Sequence, residues 1–430
     1  MKWIRAVSAS GVLFGGLSAP AQENPDSQAM YRLVEQAITH NRDLLAAQER
    51  IRETEALLRQ AGIRPVPTLE LEGATGRPLG TRGEEEFSAG YFYPLETGGK
   101  REKRIQVAAQ GLALAKAEYS ERLRELALDV RTREIESLAK REKLDALDQI
   151  SRVNQDAFRL TEARVQRGDA AALDQQLLSV ENNRTESQRL SLRGQAEAAL
   201  FELRRVIGLG SEDSLQLGVA LRRSDLKLDL ARLKQAGLDS RSDLQIARLL
   251  EAQGTAQVAL IEAGAKPDIT LSARYAHRDA TFEHQFGTNA AGARVPLSDR
   301  DNIVSFGVSI PLQNRRRNEG NIAAAVSRRR GARLRREYLE GAIPLEIEAA
   351  YHRWQAAQNA LAALSQGVVD QSEKNLAVIR QAYQLGQLRL LDVLNEQRRL
   401  LDTELTYIDV KTEFARAEAA MEHAVGGRLR

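Results

Sequence analysis

The sequence predicts a mainly α protein with a small β part, organised as a two-fold internal repeat. Each half is a long helical hairpin plus two strands. Three observations predict this. A constant offset of 218 positions lays Gly168 on Gly386, Asp174 on Asp392 and Ile207-Gly208 on Val425-Gly426, and self-similarity at a fixed period dictates architecture before any local reading. Between Pro94 and Pro267 there is no proline, which leaves room for helices far longer than globular ones. Between proline borders, twice, the apolar period switches from helical to strict alternation, the mark of strands.

Composition narrows the function classes. The 430 residues carry a net charge of only +3, so no general attraction to nucleic acid is expected. Charged residues make up 28% and aromatic ones 5%, a balance suited to long helices rather than aromatic binding platforms. The sequence has no cysteine. Disulfides, thiolate zinc sites, thiol catalysis and an acylated N-terminal anchor are thereby excluded.

In chain order, Lys2 and Arg5, the apolar run Ala6 to Leu17 and the small-residue site Ala19-Pro20-Ala21 read as a cleaved export signal over 1–21. No other run approaches the length of a membrane-spanning helix, so any crossing has to use strands. The first repeat covers 22–227. Its opening helix spans 28–63, with Leu33, Ile38, Leu44, Leu45, Ile51, Leu57 and Leu58 on the apolar side, and ends before Pro65-Val66-Pro67 as proline demands. Strands follow at 67–75 and 86–95, separated by the turn-rich Gly76 to Gly83. The helical hairpin 100–207 bends at Gly168, a residue free to take φ > 0 and reverse the chain. Its first arm is about 100 Å long at ~1.5 Å per residue. A connector occupies 208–227.

The second repeat covers 228–430. It has a helix at 228–264, strands at 267–277 and 302–312, and a hairpin at 317–426 with its tip at Gly386. The polar stretch between the last two strands, His277 to Asn302, reads as the longest loop. A kink or break is expected near Gly341-Ala342-Ile343-Pro344. The final helix carries a heptad-like stripe of Leu391, Leu394, Leu401, Leu405 and Ile408 that Arg398 interrupts.

Four strands with one polar and one apolar face are too few to close a barrel, which needs about eight, and open edges are costly in water or lipid. Several copies must pool their strands. The expected assembly is a tube: a short membrane barrel carrying a long helical one.

At this point the chain resembles the TolC-type outer-membrane efflux channels, on the strength of the doubled unit and its two tips, each a glycine followed six positions on by aspartate. The segment Pro94-Leu95-Glu96-Thr97-Gly98-Gly99-Lys100-Arg101-Glu102-Lys103-Arg104 is similar to the Gly-Gly-Lys-Arg stretch of the heavy-metal branch, the channels of cobalt–zinc–cadmium exporters. The resemblance implies a homotrimer with a shared 12-strand barrel in the outer membrane and a periplasmic helical tunnel. A periplasmic adaptor and an inner-membrane pump of the resistance–nodulation–division type would feed it. Divalent metal cations are the implied cargo, with drugs or other small organic molecules as the alternative. A structural coiled-coil envelope protein, a periplasmic adaptor and an envelope enzyme are further readings that the doubled strand pairs and the lack of a catalytic set oppose.

By the same resemblance, Asp392, with Asn395 one turn later where the family has a second carboxylate, lies at the channel entrance. Asp174 is its counterpart in the first repeat. The alternative role for both is a first-turn carboxylate that stabilises its helix dipole. Arg164, Arg167, Gly168, Tyr383, Leu385, Gly386 and Leu388 resemble the adaptor-docking tips. Two basic clusters just after the strands, Lys100, Arg101, Lys103 and Arg104, then Arg315, Arg316 and Arg317, are candidates for a belt against lipid headgroups, with Tyr91, Tyr93 and Tyr275 as possible girdle residues. The five histidines show no metal-ligand spacing, and His277 and His284 read as ordinary loop residues. No catalytic residue, metal site, cofactor or nucleic-acid partner is expected.

Overall fold

The computed structural model describes residues 25–75, 78, 84–218, 220–221, 228–312, 316–365, 367–385 and 387–429. The expected signal at 1–21, most of the turn 76–83, all of 222–227, Arg315 and the tip glycine Gly386 lie outside the described residues. In order, the elements are α1 (Pro25–His40), α2 (Arg42–Ala61), β1 (Thr68–Thr75), β2 (Glu84–Leu95), α3 (Lys100–Gln166), α4 (Ala172–Ile207), α5 (Leu230–Ser240), α6 (Ser242–Gly264), β3 (Ile269–Thr288), β4 (Arg294–Ser309), α7 (Arg316–Ser365), α8 (Val368–Gln384) and α9 (Leu390–Val425).

These residues pack as two compact units. One holds α1, α3 from Asp129, α4, the end of α7, α8 and α9 to Arg416. The other holds α2, α3 to Leu128, the sheet, α5, α6, most of α7 and the end of α9.

Four expectations are corrected. The helix expected over 28–63 is two helices that part at Asn41, and the helix expected over 228–264 parts at Arg241. Both breaks have the same cause: the return helix of a hairpin docks there. Asn41 Nδ2 donates to Val206 O at 2.7 Å, and Gly208, at φ 90°, lies so close that a Cβ would sit 2.6 Å from His40 O. In the second repeat Ser240 Oγ donates to Val425 O at 2.9 Å and Arg241 to Ala424 O at 3.3 Å, with Gly426 at φ 83° against both side chains. Each joint gives partners to carbonyls that a helix end leaves open. Only glycine fits such an approach in that backbone region.

The break expected at Gly341–Pro344 is absent, for α7 runs through Pro344. Proline inside a helix costs about 3 kcal/mol; here Leu339, Ile343 and Ile347 are buried against Leu233, Leu244, Met421 and Val425 and keep the helix continuous. The interruption comes instead at Gly367, φ 83°, where α8 begins. Finally, the long polar loop over 277–302 is mostly strand. β3 and β4 extend to Thr288 and Arg294, joined by a tight turn in which Asn289 Oδ1 accepts from the Ala291 and Ala293 N–H groups. Polar residues on both faces hid this extension, which backbone pairing and the Asp279–Arg300 ion pair at 2.9 Å support.

The sheet is antiparallel, in the order β1-β2-β3-β4. Register puts Leu69, Tyr91, Ala273 and Phe306 in one row, and Leu71, Ala89, Tyr275 and Val304 in the next. Since side chains alternate between faces, Leu69, Leu71, Phe87, Tyr91, Leu95, Leu271, Tyr275, Val304, Phe306 and Val308 share one face. All are exposed. The other face is polar: Arg274 reaches Glu72 at 2.7 Å and Arg278 reaches Glu86 at 3.0 Å.

Candidate functional site

The first tip is a helix end closed by glycine. Gly168 has φ 79°, and Asp169 N–H returns to Arg164 O at 2.8 Å, which satisfies a terminal carbonyl of α3. Arg164 and Arg167 stay at the tip, donating to the backbone oxygens of Asp169 (3.4 Å) and Ala163 (3.3 Å). Arg167 also lies 3.7 Å from the Asp169 carboxylate, with both groups solvated. At the second tip Gln387 N–H donates to Ala382 O at 2.9 Å, and Leu385 and Leu388 are exposed. Tyr383 is turned inward, against Leu390 and Leu394 on one side and Leu376 and Val393 on the other.

The two first-turn aspartates differ. Asp392 Oδ2 accepts from Arg389 N–H at 2.9 Å while Asp392 N–H donates to Arg389 O at 3.1 Å. This is the return half of a capping box. The carboxylate is nevertheless exposed, as is Asn395 one turn on. Asp174 opens α4 behind Ala171, which makes no side-chain cap bond, and Asp174 is half-buried.

Sequence reasoning missed a buried polar layer between α3 and α4. Asn154 is 1% exposed and donates to Thr185 Oγ1 at 3.4 Å; Ser151 and Thr161 are buried beside it along α3. Glu181, 7% exposed, accepts from Arg398 of α9, whose Nε lies 3.1 Å away. That hydrogen bond holds the Arg398 guanidinium well above its usual range. The signal was present: Arg398 is the residue that broke the leucine stripe, and a cation in such a stripe needs a buried counter-charge. Farther along α9, Lys411 pairs with Glu142 at 2.7 Å and Arg416 with Glu136 at 3.1 Å.

The first basic cluster is engaged within the chain. Lys100 Nζ lies 2.7 Å from Asp268, Arg101 Nε donates to Gly62 O at 2.7 Å, and Arg104 binds the Glu96 carboxylate and Ile63 O. Lys103 Nζ donates to Gln106 at 3.4 Å. Arg316 and Arg317 open α7. His277 Nδ1 is 2.8 Å from Asn302 Oδ1 on the sheet.

The outer membrane efflux protein family matches residues 33–209 and 233–427, one segment per repeat. The chain belongs to this family. It is an outer-membrane efflux channel, a transport duct rather than an enzyme, and family members act as the outer-membrane component of tripartite efflux systems. The chain is 25% identical to the cobalt-zinc-cadmium resistance protein CzcC of Cupriavidus metallidurans over 395 residues, 90% of this chain and 87% of that one. In fold it is similar to the channel CusC (TM-score 0.71, 20% identity, 93% of this chain and 92% of that chain). It is likewise similar to the open state of the Neisseria gonorrhoeae channel MtrE (TM-score 0.73, 17% identity, 94% and 90%). No described helix is long and apolar enough to cross a membrane.

Proposed function

We propose that this efflux channel is the exit duct for divalent heavy-metal cations delivered by an inner-membrane pump through a periplasmic adaptor. It works as a homotrimer whose three sheets close one 12-strand barrel. The carrying observation is the sheet: one face apolar and exposed on every strand, the other polar, with β1 and β4 as edges. An apolar band meets lipid while a polar lumen passes water and ions. Along β2, Phe87 to Leu95 supplies the ~9 residues that a tilted strand needs to cross the bilayer core.

In this reading the protein does no chemistry, and opening of the hairpin tips is the controlled step. Three Asp392 carboxylates ring a narrow mouth and favour cations. The tip surface around Leu385 and Leu388 receives the adaptor. The metal cargo is supported by the likeness to a cobalt-zinc-cadmium resistance protein and by the Gly98-Gly99-Lys100-Arg101 segment. The deciding experiment is a susceptibility profile of a strain lacking the gene, with zinc, cobalt, cadmium and copper beside dyes, detergents and antibiotics. Sensitivity confined to metals and restored by the wild-type gene is expected. Sensitivity to organic compounds with unchanged metal tolerance replaces the metal cargo with small organic molecules.

A further inference from the structure

The polar face of the sheet carries small side chains at its centre: Ser88 and Gly90 of β2, Ser272 and Ala276 of β3, Ser305 and Gly307 of β4. Arg274 stands among them but lies flat. Its guanidinium crosses β2 to the edge strand β1, where it meets Glu72 at 2.7 Å and Glu70 at 3.6 Å. Ser88 Oγ is 3.5 Å from the guanidinium and 3.4 Å from the Glu72 carboxylate, and the Phe92 ring flanks the same group at 5.9 Å. The path exists because β2 offers nothing larger than Ser88 and Gly90 along it. A Cβ at position 90 would already touch the Phe92 ring at 2.9 Å and Arg274 Nε at 3.6 Å. Held this way, the Arg274 side chain is only 36% exposed on an otherwise open face. Two carboxylates thus answer one guanidinium. Farther along the same face the ratio recurs: Arg278 pairs with Glu86 at 3.0 Å, and Asp301 shares their row.

We infer that Arg274 sets the charge and the clearance of the barrel lumen, so that the middle of the duct favours small cations over anions. The inference rests on the barrel proposed above, in which this face lines the lumen; it concerns the barrel wall and not the carboxylates at the hairpin tips. A guanidinium standing free in the lumen would repel cations and narrow the passage. Laid flat against β1 it does neither, and the second carboxylate leaves one negative charge per copy at that level. Magnitudes allow the wall to act across the lumen. Twelve strands at ~4.8 Å spacing and roughly 40° tilt close at a backbone radius of about 12 Å. The screening length is ~30 Å in ~0.01 M salt and ~3 Å in ~1 M salt, so wall charge fills the lumen in the first and is confined to the wall in the second. Lumen-facing side chains are the ones that tune selectivity in such barrels.

The chain has no cysteine, so Ser305→Cys, in the same row as Arg274, introduces its sole thiol on the polar face. Purified trimer in detergent is treated with two methanethiosulfonates of similar size, one bearing a trimethylammonium group and one a sulfonate. Relative to free cysteine, the cationic reagent is expected to react several-fold faster in ~0.01 M salt, and ~1 M salt to abolish the preference. Arg274→Gln should strengthen the preference. Glu70→Gln with Glu72→Gln releases Arg274 and should remove it, and adding Arg274→Gln to that pair should restore part of it. Where the double change yields no trimer, Glu72→Gln alone is expected to weaken the preference. A ratio equal to that of free cysteine, or one that these changes leave unmoved, overturns the role of Arg274 while the barrel stands. Val304→Cys, on the lipid-facing side, should stay unlabelled. Ser305→Cys unreactive, or wild-type protein without trimer, overturns the barrel itself.

Discussion

The two tip-bearing helical hairpins share an outline but not an interior. Near its tip the second, α8 with α9, is closed by Leu376, Val393 and Leu400, with Tyr383 packed against them, while Leu390 and Leu394 pack on Leu178 of the first. The first, α3 with α4, buries Asn154, Thr185, Ser151 and Thr161, and gives Glu181 to Arg398 of the second. Apolar packing is non-directional and tolerates small shifts; buried polar groups are costly unless each partner is in place. The first hairpin adds these directional contacts to its own buried Leu147, Ile150 and Leu178, so its polar layer specifies one arrangement more strictly than apolar packing alone would.

The largest expected effect falls on the apolar side. Leu400→Ala removes a side chain buried against Leu376 and should lower the opening free energy of α8–α9 by about 2–5 kcal/mol, read as lost hydrogen-exchange protection. The matching change in the first hairpin, Asn154→Leu with Thr185→Val, removes both polar partners and should be near neutral or stabilising. Equal losses in the two hairpins would break the comparison. Next in size, Arg398→Ala strands the Glu181 carboxylate in a buried place and should cost about 1–3 kcal/mol. Adding Glu181→Leu should recover most of that loss, because the double change leaves no unpaired charge; a double-mutant cycle without coupling removes the bridge between the hairpins.

Acidity should act on the second hairpin through Glu404. Burial, and then the Glu373 carboxylate across from it, pushes the Glu404 carboxyl above its ordinary value. The folded state thus binds this proton more tightly than the unfolded one. Its stabilising contribution is complete below the ordinary carboxylate range and fades as pH rises through the raised value. Glu404→Gln should make α8–α9 protection insensitive to pH there; an unchanged pH profile would locate the titration elsewhere. The smallest effects belong to the caps. Asp392→Ala loses a capping hydrogen bond and should cost about 0.5–1 kcal/mol, whereas Asp174→Ala, with no cap bond to lose, should stay within a few tenths. Equal costs would erase the distinction between the two aspartates.

Local chemistry made some of this architecture legible. Glycine positions, proline borders and the two apolar periods act through nearest neighbours, and they yielded the repeat, four strands with unlike faces and the first tip. The places where sequence reasoning failed are all places where a distant segment decides. Asn41 and Arg241 break helices because Val206 and Ala424 arrive there. Pro344 stays helical because Leu233, Leu244 and Met421 bury its neighbours Ile343 and Ile347. The stretch after His277 is strand because β4 pairs with it. Arg398 looked like a flaw in a leucine stripe until Glu181, 217 positions away, stood opposite it. By itself the sequence determined where most helices and strands lie and how they recur, since those preferences are set within a few residues. Tertiary structure alone decided where helices stop, which charges are answered and which hairpin has a polar interior. Those depend on contacts between groups far apart in the chain, and periodicity carries no record of what will come to lie opposite.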